Sequence, residues 1–298
     1  MTPLRYQLAL QTCAILYGAT AIIGHQLSGS VVTTVLVRGL FAFLTLSLVL
    51  LISRKHALKP VSAANVAKLM VSGILLAVHW LCFFVSVNKG GIAISTLSFA
   101  SFPAFVLLFD TLFFKERLTT TDVLVIALIA LGLLLVTPAF SLSHDTTVGL
   151  LWGMASGMAY SLVVLYNRHN QTQLGAVQAS WIQFLGISIA LLPFGAANLG
   201  SYAINEWWLL AFLGVACTAL AFTLFVYSLQ GVPAKTASVV IALEPVYAII
   251  MAWFFFAQVP TSKMVLGGLV ILAAVMLSLR SVPPKPLTNP VKADSVGG

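Results

Sequence analysis

Glu244 and Pro245 interrupt an apolar run, Pro233 to Gln258, near its middle. An ionised carboxylate at the centre of a bilayer costs about 2.5–3.5 kcal/mol on insertion scales, so a residue kept there is a candidate for coupling or gating. Protonated, it donates a hydrogen bond and crosses low dielectric cheaply; ionised, it holds a cationic group or a proton to be carried. The proline lacks an N–H and leaves the carbonyl of Ile241 without its helical partner. The bland alternative is a permanently neutral carboxyl that packs the helix break, bonded to nearby backbone.

Other polar side chains sit inside apolar runs. Arg38 keeps its charge and lies toward the outer side of its span, where it pairs with a solute carboxylate or snorkels to helix-end carbonyls. His79 could relay a proton with Glu244, although a lone histidine is more often a satisfied buried donor. Its neighbours Trp80, Phe83 and Phe84 are packing residues, with Trp80 offering an edge to a cavity. Asp110, near Lys115, reads as a carboxylate reaching the interface. Gly149, Gly153 and Gly157 recur every four residues and form a ridge on which another backbone packs. Ser156, Tyr160, Val163 and Asn167 follow an adjacent face whose polar tips would be unfavourable in lipid. Tyr160 is the strongest candidate for a neutral solute contact, with Asn167, Ser98 and Tyr247 behind it.

The elements that must position these groups are membrane spans. The chain of 298 residues is 60% hydrophobic and 7% charged, too poor in charge for a soluble globule. Apolar stretches of about 20 residues, each able to cross the hydrocarbon core, recur throughout. They run roughly over 8–23, 31–52, 69–87, 91–116, 123–136, 148–166, 177–194, 207–229, 233–258 and 264–279. The first reads as a retained span, since no A-x-A site precedes the next polar stretch. The residues after Arg280, rich in Pro, Lys, Asp and Gly, read as a mobile tail.

The formal charge of +8 lies between spans rather than in an aromatic-interleaved patch, which argues for topology signals and against nucleic acid. With a cytoplasmic N-terminus, the inside collects Arg5, Arg54, Lys55, Lys59, Lys68, Lys115, Arg117, Arg168, Lys235, Arg280, Lys285 and Lys292, and the outside keeps Lys89 and Lys263. That asymmetry places both termini inside.

Pro103 is the mate of Pro245 at an offset of 245 − 103 = 142 residues. At this offset Phe83 meets Phe225, Ser86 meets Ser228, Phe113-Phe114 meet Phe255-Phe256, and Thr119 meets Thr261. Glu244 meets Phe102, so the halves differ chemically. Five spans per half is an odd number, so the second copy enters from the opposite side. Inverted repeats with breaks at matching positions point to a secondary transporter with its site near the midplane.

His79-Trp80-x-x-Phe83-Phe84, the Pro103 run ending in Phe114-Lys115-Glu116-Arg117-Leu118-Thr119, and Glu244-Pro245 closing on Phe255-Phe256 resemble the EamA family of the drug/metabolite transporter superfamily. The resemblance covers the chain to about Arg280 and implies a ten-helix inner-membrane transporter, most often an exporter of amino acids, related metabolites or toxic compounds. Ala257-Gln258-Val259-Pro260 departs from the family, which often has an acidic residue there.

The expected fold is all-α and polytopic, with ten transmembrane helices in two inverted five-helix repeats, residues 1–138 and 147–280, around a central cavity, followed by the tail 281–298. The expected function is export of amino acids or related small metabolites by alternating access, with proton coupling through Glu244. Its rival is a gradient-driven uniporter or efflux carrier for toxic or cationic compounds in which Glu244 is structural. Expected partners are a small solute, the lipid bilayer and protons. No cofactor is expected: there is no Walker motif, and the cysteines Cys13, Cys82 and Cys217 read as buried thiols. The five histidines show no metal-ligand spacing and the carboxylates are scattered, so an enzyme is not expected.

Overall fold

The computed structural model describes residues 4–52, 58–137, 144–170, 174–228, 231–232, 237, 240–241 and 243–281. Ten helices make up the fold among the described residues: α1 (Leu4–Gln26), α2 (Val31–Ile52), α3 (Ala63–Phe99), α4 (Phe102–Phe114), α5 (Thr120–Val136), α6 (Asp145–His169), α7 (Ala176–Gly195), α8 (Glu206–Ser228), α9 (Glu244–Phe256) and α10 (Ser262–Ser281). Six, α1, α2, α3, α6, α7 and α8, are long and apolar enough to cross a membrane. Large apolar side chains on their outer faces, Leu51, Ile52 and Phe194 among them, are exposed, as lipid contact requires.

α3 is a folded-back pair rather than one rod. A straight helix would hold His79 and Phe99 about 30 Å apart, yet their rings are 4.9 Å apart. The reversal is at Gly91, whose φ of 78° and ψ of 177° suit a residue without a Cβ. α6 lies along both arms. Ser72 donates to Asn167, Ser86 donates to the Gly149 carbonyl and Lys89 pairs with Asp145, an antiparallel register. From the reversal onward, where Gly149 abuts Gly90, Gly153 abuts Ser98 and Gly157 abuts the Phe99 carbonyl, the register is parallel. The glycine ridge read from the sequence is therefore the seat of the returning arm.

Span four is thus the arm 92–99 plus α4, with the break at Ala100-Ser101. Pro103 stands in the first turn of α4, where its missing N–H costs nothing. The break precedes the proline instead of bending a continuous helix at it. Among the described residues the second copy repeats the backbone bonds that follow the break. The Ala104 and Phe105 N–H groups donate to the Ser101 carbonyl; 142 residues on, Val246 and Tyr247 donate to that of Leu243. α4 ends at Lys115 with φ 56° and α9 at Ala257 with φ 54°, the only positive-φ residues besides glycine among the described ones. The Ile241 carbonyl singled out in the sequence precedes this helix, and its neighbours 233–236, 238–239 and 242, Pro233 and Lys235 included, lie outside the described residues.

The packing obeys the same exchange. α6 packs on α3 and α4 as α1 packs on α8 and α9; α7 packs on α3 as α2 packs on α8; α2 meets α7 and α5 meets α10 between the two copies. At the last crossing the backbones nearly touch, a Cβ on either Gly132 or Gly267 being met by the other's carbonyl. Polar ties close each face. On one, Glu206 accepts from the Ser28 N–H at 2.7 Å and the Ala203 N–H at 2.8 Å. On the other, the Gln178 amide bonds the Lys59 backbone both ways, at 3.0 and 2.9 Å.

Candidate functional site

Arg38 is buried in the middle of the bundle, at 4% exposure. Its Nε donates to Thr218 Oγ1 at 2.8 Å. Thr218 belongs to a π-helical turn, Val215–Leu220, inside α8, and its own hydroxyl donates five residues back to the Leu213 carbonyl at 2.7 Å. The widened turn carries this hydroxyl to the guanidinium; π turns are rare and concentrate at functional sites. Gly214, at its entry, allows the approach, because a Cβ there would lie 2.8 Å from the Arg38 carbonyl oxygen. The guanidinium lies 3.9 Å over the Trp80 ring and 5.8 Å from that of Phe84. Its Nη1 has no hydrogen-bond partner among the described residues. A buried unsatisfied donor costs about 1–3 kcal/mol, more on a charged group.

Beside this cation stands a cluster of rings. Tyr160 is 5.0 Å from His79, 5.5 Å from Phe99 and 5.4 Å from Phe102. The His79 Nδ1 lies 2.8 Å from Ser156 Oγ and 3.1 Å from the Ser156 carbonyl oxygen. The imidazole is thereby fixed between α3 and α6. Tyr160, Phe99 and Phe102 are half-buried while His79 and Phe83 are buried, so the cluster presents its tyrosine end to accessible space.

Glu244 opens α9 as its first residue and is also half-buried. It lies within electrostatic reach of Arg38, Tyr160, Tyr17 and Cys13, and so among α1, α2 and α6. Among the described residues it makes no hydrogen bond and no ion pair with Arg38. α1 lies tight against this helix, since a Cβ on Gly18 would come within 3.0 Å of the Ala248 nitrogen.

Glu244, Arg38, His79, Trp80 and Tyr160 are therefore brought together from four helices. The other sequence candidates are engaged elsewhere. The Ser98 hydroxyl donates to the Ile94 carbonyl at 2.6 Å and packs on Gly153. Asn167, at the far end of α6, accepts from Ser72 at 2.7 Å and from Gln183 at 3.4 Å. Tyr247 donates to Gln11 on α1 at 2.5 Å. No hydrogen bond joins His79 to Glu244 among the described residues. Tyr17, Phe99 and Thr218 belong to the site and were not singled out from the sequence. Tyr17, a phenol in an apolar span one position off the 142-residue mate of Tyr160, carried a usable signal. Thr218 carried none, because Val-Ala-Cys-Thr-Ala-Leu reads as ordinary helix.

Among the described residues no group of three or more His, Cys, Asp or Glu could hold a metal ion. What the geometry offers is a fixed buried cation, a carboxylate without a hydrogen-bond partner among the described residues, phenolic hydroxyls and aromatic walls: the means to hold a small charged or polar solute within a membrane bundle.

Comparison with known proteins agrees with this picture. The chain is 27% identical over 254 residues to the uncharacterized transporter YxxF of Bacillus subtilis, covering 82% of this chain and 80% of that one. It is 25% identical over 224 residues to the pseudopaline exporter CntI of Pseudomonas aeruginosa, covering 73% and 76%. With the threonine/homoserine exporter RhtA of Salmonella typhimurium it shares 24% identity over 169 residues, 55% of this chain and 57% of that one. A crystal structure with 15% sequence identity superposes at a TM-score of 0.61 over 92% of this chain and 96% of the other, a likeness of fold. The model of the EamA-like transporter family matches residues 5–137 and again 147–280, so this multi-pass membrane chain belongs to the EamA-like transporter family.

Proposed function

We propose that the protein is an inner-membrane exporter of amino acids or related small metabolites, that it works by alternating access between its two inverted repeats, and that Glu244 carries the coupling proton. The observation that carries this reading is the Glu244 carboxylate. It heads a broken helix inside the bundle, half-buried, without a hydrogen-bond partner among the described residues, and within the field of Arg38 and Tyr160. A carboxyl beside a buried cation can exchange a proton for a solute. Relatives named as exporters of pseudopaline and of threonine and homoserine support the direction and the substrate class. In this reading the face of Lys59 and Gln178 is cytoplasmic, with both termini, an orientation that the Lys and Arg bias supports.

Purified protein in liposomes, loaded with a mixture of radiolabelled amino acids and placed in an outward or inward pH gradient, tests the coupling. Wild type is expected to move label in proportion to the gradient, and Glu244→Gln to move it, if at all, independently of the gradient. A variant with unchanged gradient dependence removes the proton from Glu244 and favours a carrier in which the residue is structural.

A further inference from the structure

We infer that Arg38 is the carboxylate-binding subsite of this transporter, so that its solutes are zwitterions bearing a free carboxylate rather than cations or neutral compounds. The inference rests on the transport reading above and narrows it. Three features of the guanidinium carry it. It cannot discharge itself, since arginine keeps its proton in proteins. It is rigidly held, by Thr218 on Nε and by the Trp80 face at 3.9 Å, so its remaining edge has a defined direction. And Nη1 on that edge is buried without a partner among the described residues.

A structure that needed only a fixed positive charge would satisfy it with helix carbonyls or with the nearby acid. Glu244 is close enough to act on Arg38 electrostatically, but no ion pair joins them among the described residues. The two opposite groups are therefore not spent on each other and can take the two ends of an amino acid: carboxylate on the guanidinium through charge-assisted N–H···O bonds, ammonium on Glu244. With Glu244 ionised the site has no net charge, and a zwitterion that fills it adds none to the membrane interior. Nη1 is closed off in this conformation; a carboxylate reaches it as α2, α3 and α8 part, the movement that alternating access supplies.

The test uses wild-type protein first, so no variant has to fold. Thermal unfolding of the detergent-purified full chain is followed against the proteinogenic L-amino acids, each paired with its methyl ester and its amide. At least one acid is expected to stabilise the protein, its ester and amide requiring roughly 10- to 100-fold higher concentration for the same effect. Arg38→Gln is expected to erase the preference for the acid, and Arg38→Lys to restore part of it. Esters that bind as well as the acids, or a panel in which no acid binds, overturn the subsite. Counterflow in vesicles separates the two failures. If esters or amines are carried as fast as acids, the subsite is wrong and the transporter reading stands; if neither set moves faster than in empty vesicles, both fall.

Discussion

The guanidinium of Arg38, on α2, lies 3.9 Å over the indole of Trp80, on α3. A desolvated contact of this kind is worth about 2 kcal/mol. It explains why a permanent charge stays in the bundle instead of snorkelling to a surface: the aromatic face replaces part of the lost hydration, and Thr218 replaces another part. The site's positive charge is thus built from three helices, and disturbing any of them should be felt at the same place.

Thr218→Val keeps the volume and removes the acceptor for Arg38 Nε. Loss of a hydrogen bond to a charged group predicts destabilisation of about 1.5–3 kcal/mol, and Thr218→Ser should recover most of it. Unfolding of the purified protein in detergent micelles gives the comparison; a valine variant as stable as wild type would show that the contact carries no energy.

Three glycines separate packing from backbone strain. A Cβ on Gly149 would overlap the Gly90 backbone, so Gly149→Ala should cost about 1–3 kcal/mol by overpacking. Gly91 has open space around it but a φ of 78°, so Gly91→Ala should cost about 1–3 kcal/mol by strain alone. Gly175, with open space and a φ of −62°, should tolerate alanine within about 0.5 kcal/mol. The same unfolding assay ranks all three, and a Gly91→Ala protein matching Gly175→Ala would contradict the reversal at Gly91.

Tyr160 combines a hydroxyl with three ring contacts. Tyr160→Phe should fold like wild type and weaken solute binding roughly 2- to 10-fold. Tyr160→Ala should in addition lose about 3 kcal/mol of stability. Equilibrium binding of the solute found in the vesicle screen reads the first effect; unchanged affinity in the phenylalanine variant would assign Tyr160 to packing.

The repeat was legible because one unbroken offset links paired prolines, and the structure carries that offset down to the caps at Lys115 and Ala257. The glycine ridge of α6 was legible too, since small residues four apart admit a backbone whatever its identity. The site was legible only where a charged or polar residue stood out against apolar neighbours, as Glu244, Arg38 and His79 do. Spacing alone could not tell a hydroxyl used by its own helix, such as Ser98, from one that faces the site, such as Tyr160. The π turn that presents Thr218 lies where α8 meets α2, and no local sequence pattern marks it.

Access to the site from both sides tests the central claim most directly. In a protein whose Cys13, Cys82 and Cys217 are replaced, a single cysteine at position 160 is exposed to a membrane-impermeant thiol reagent in right-side-out and in inside-out vesicles. Alternating access between inverted repeats predicts labelling from both sides, slowed in each case by transported solute. Labelling from neither side, or from one side at a rate that solute leaves unchanged, would contradict it.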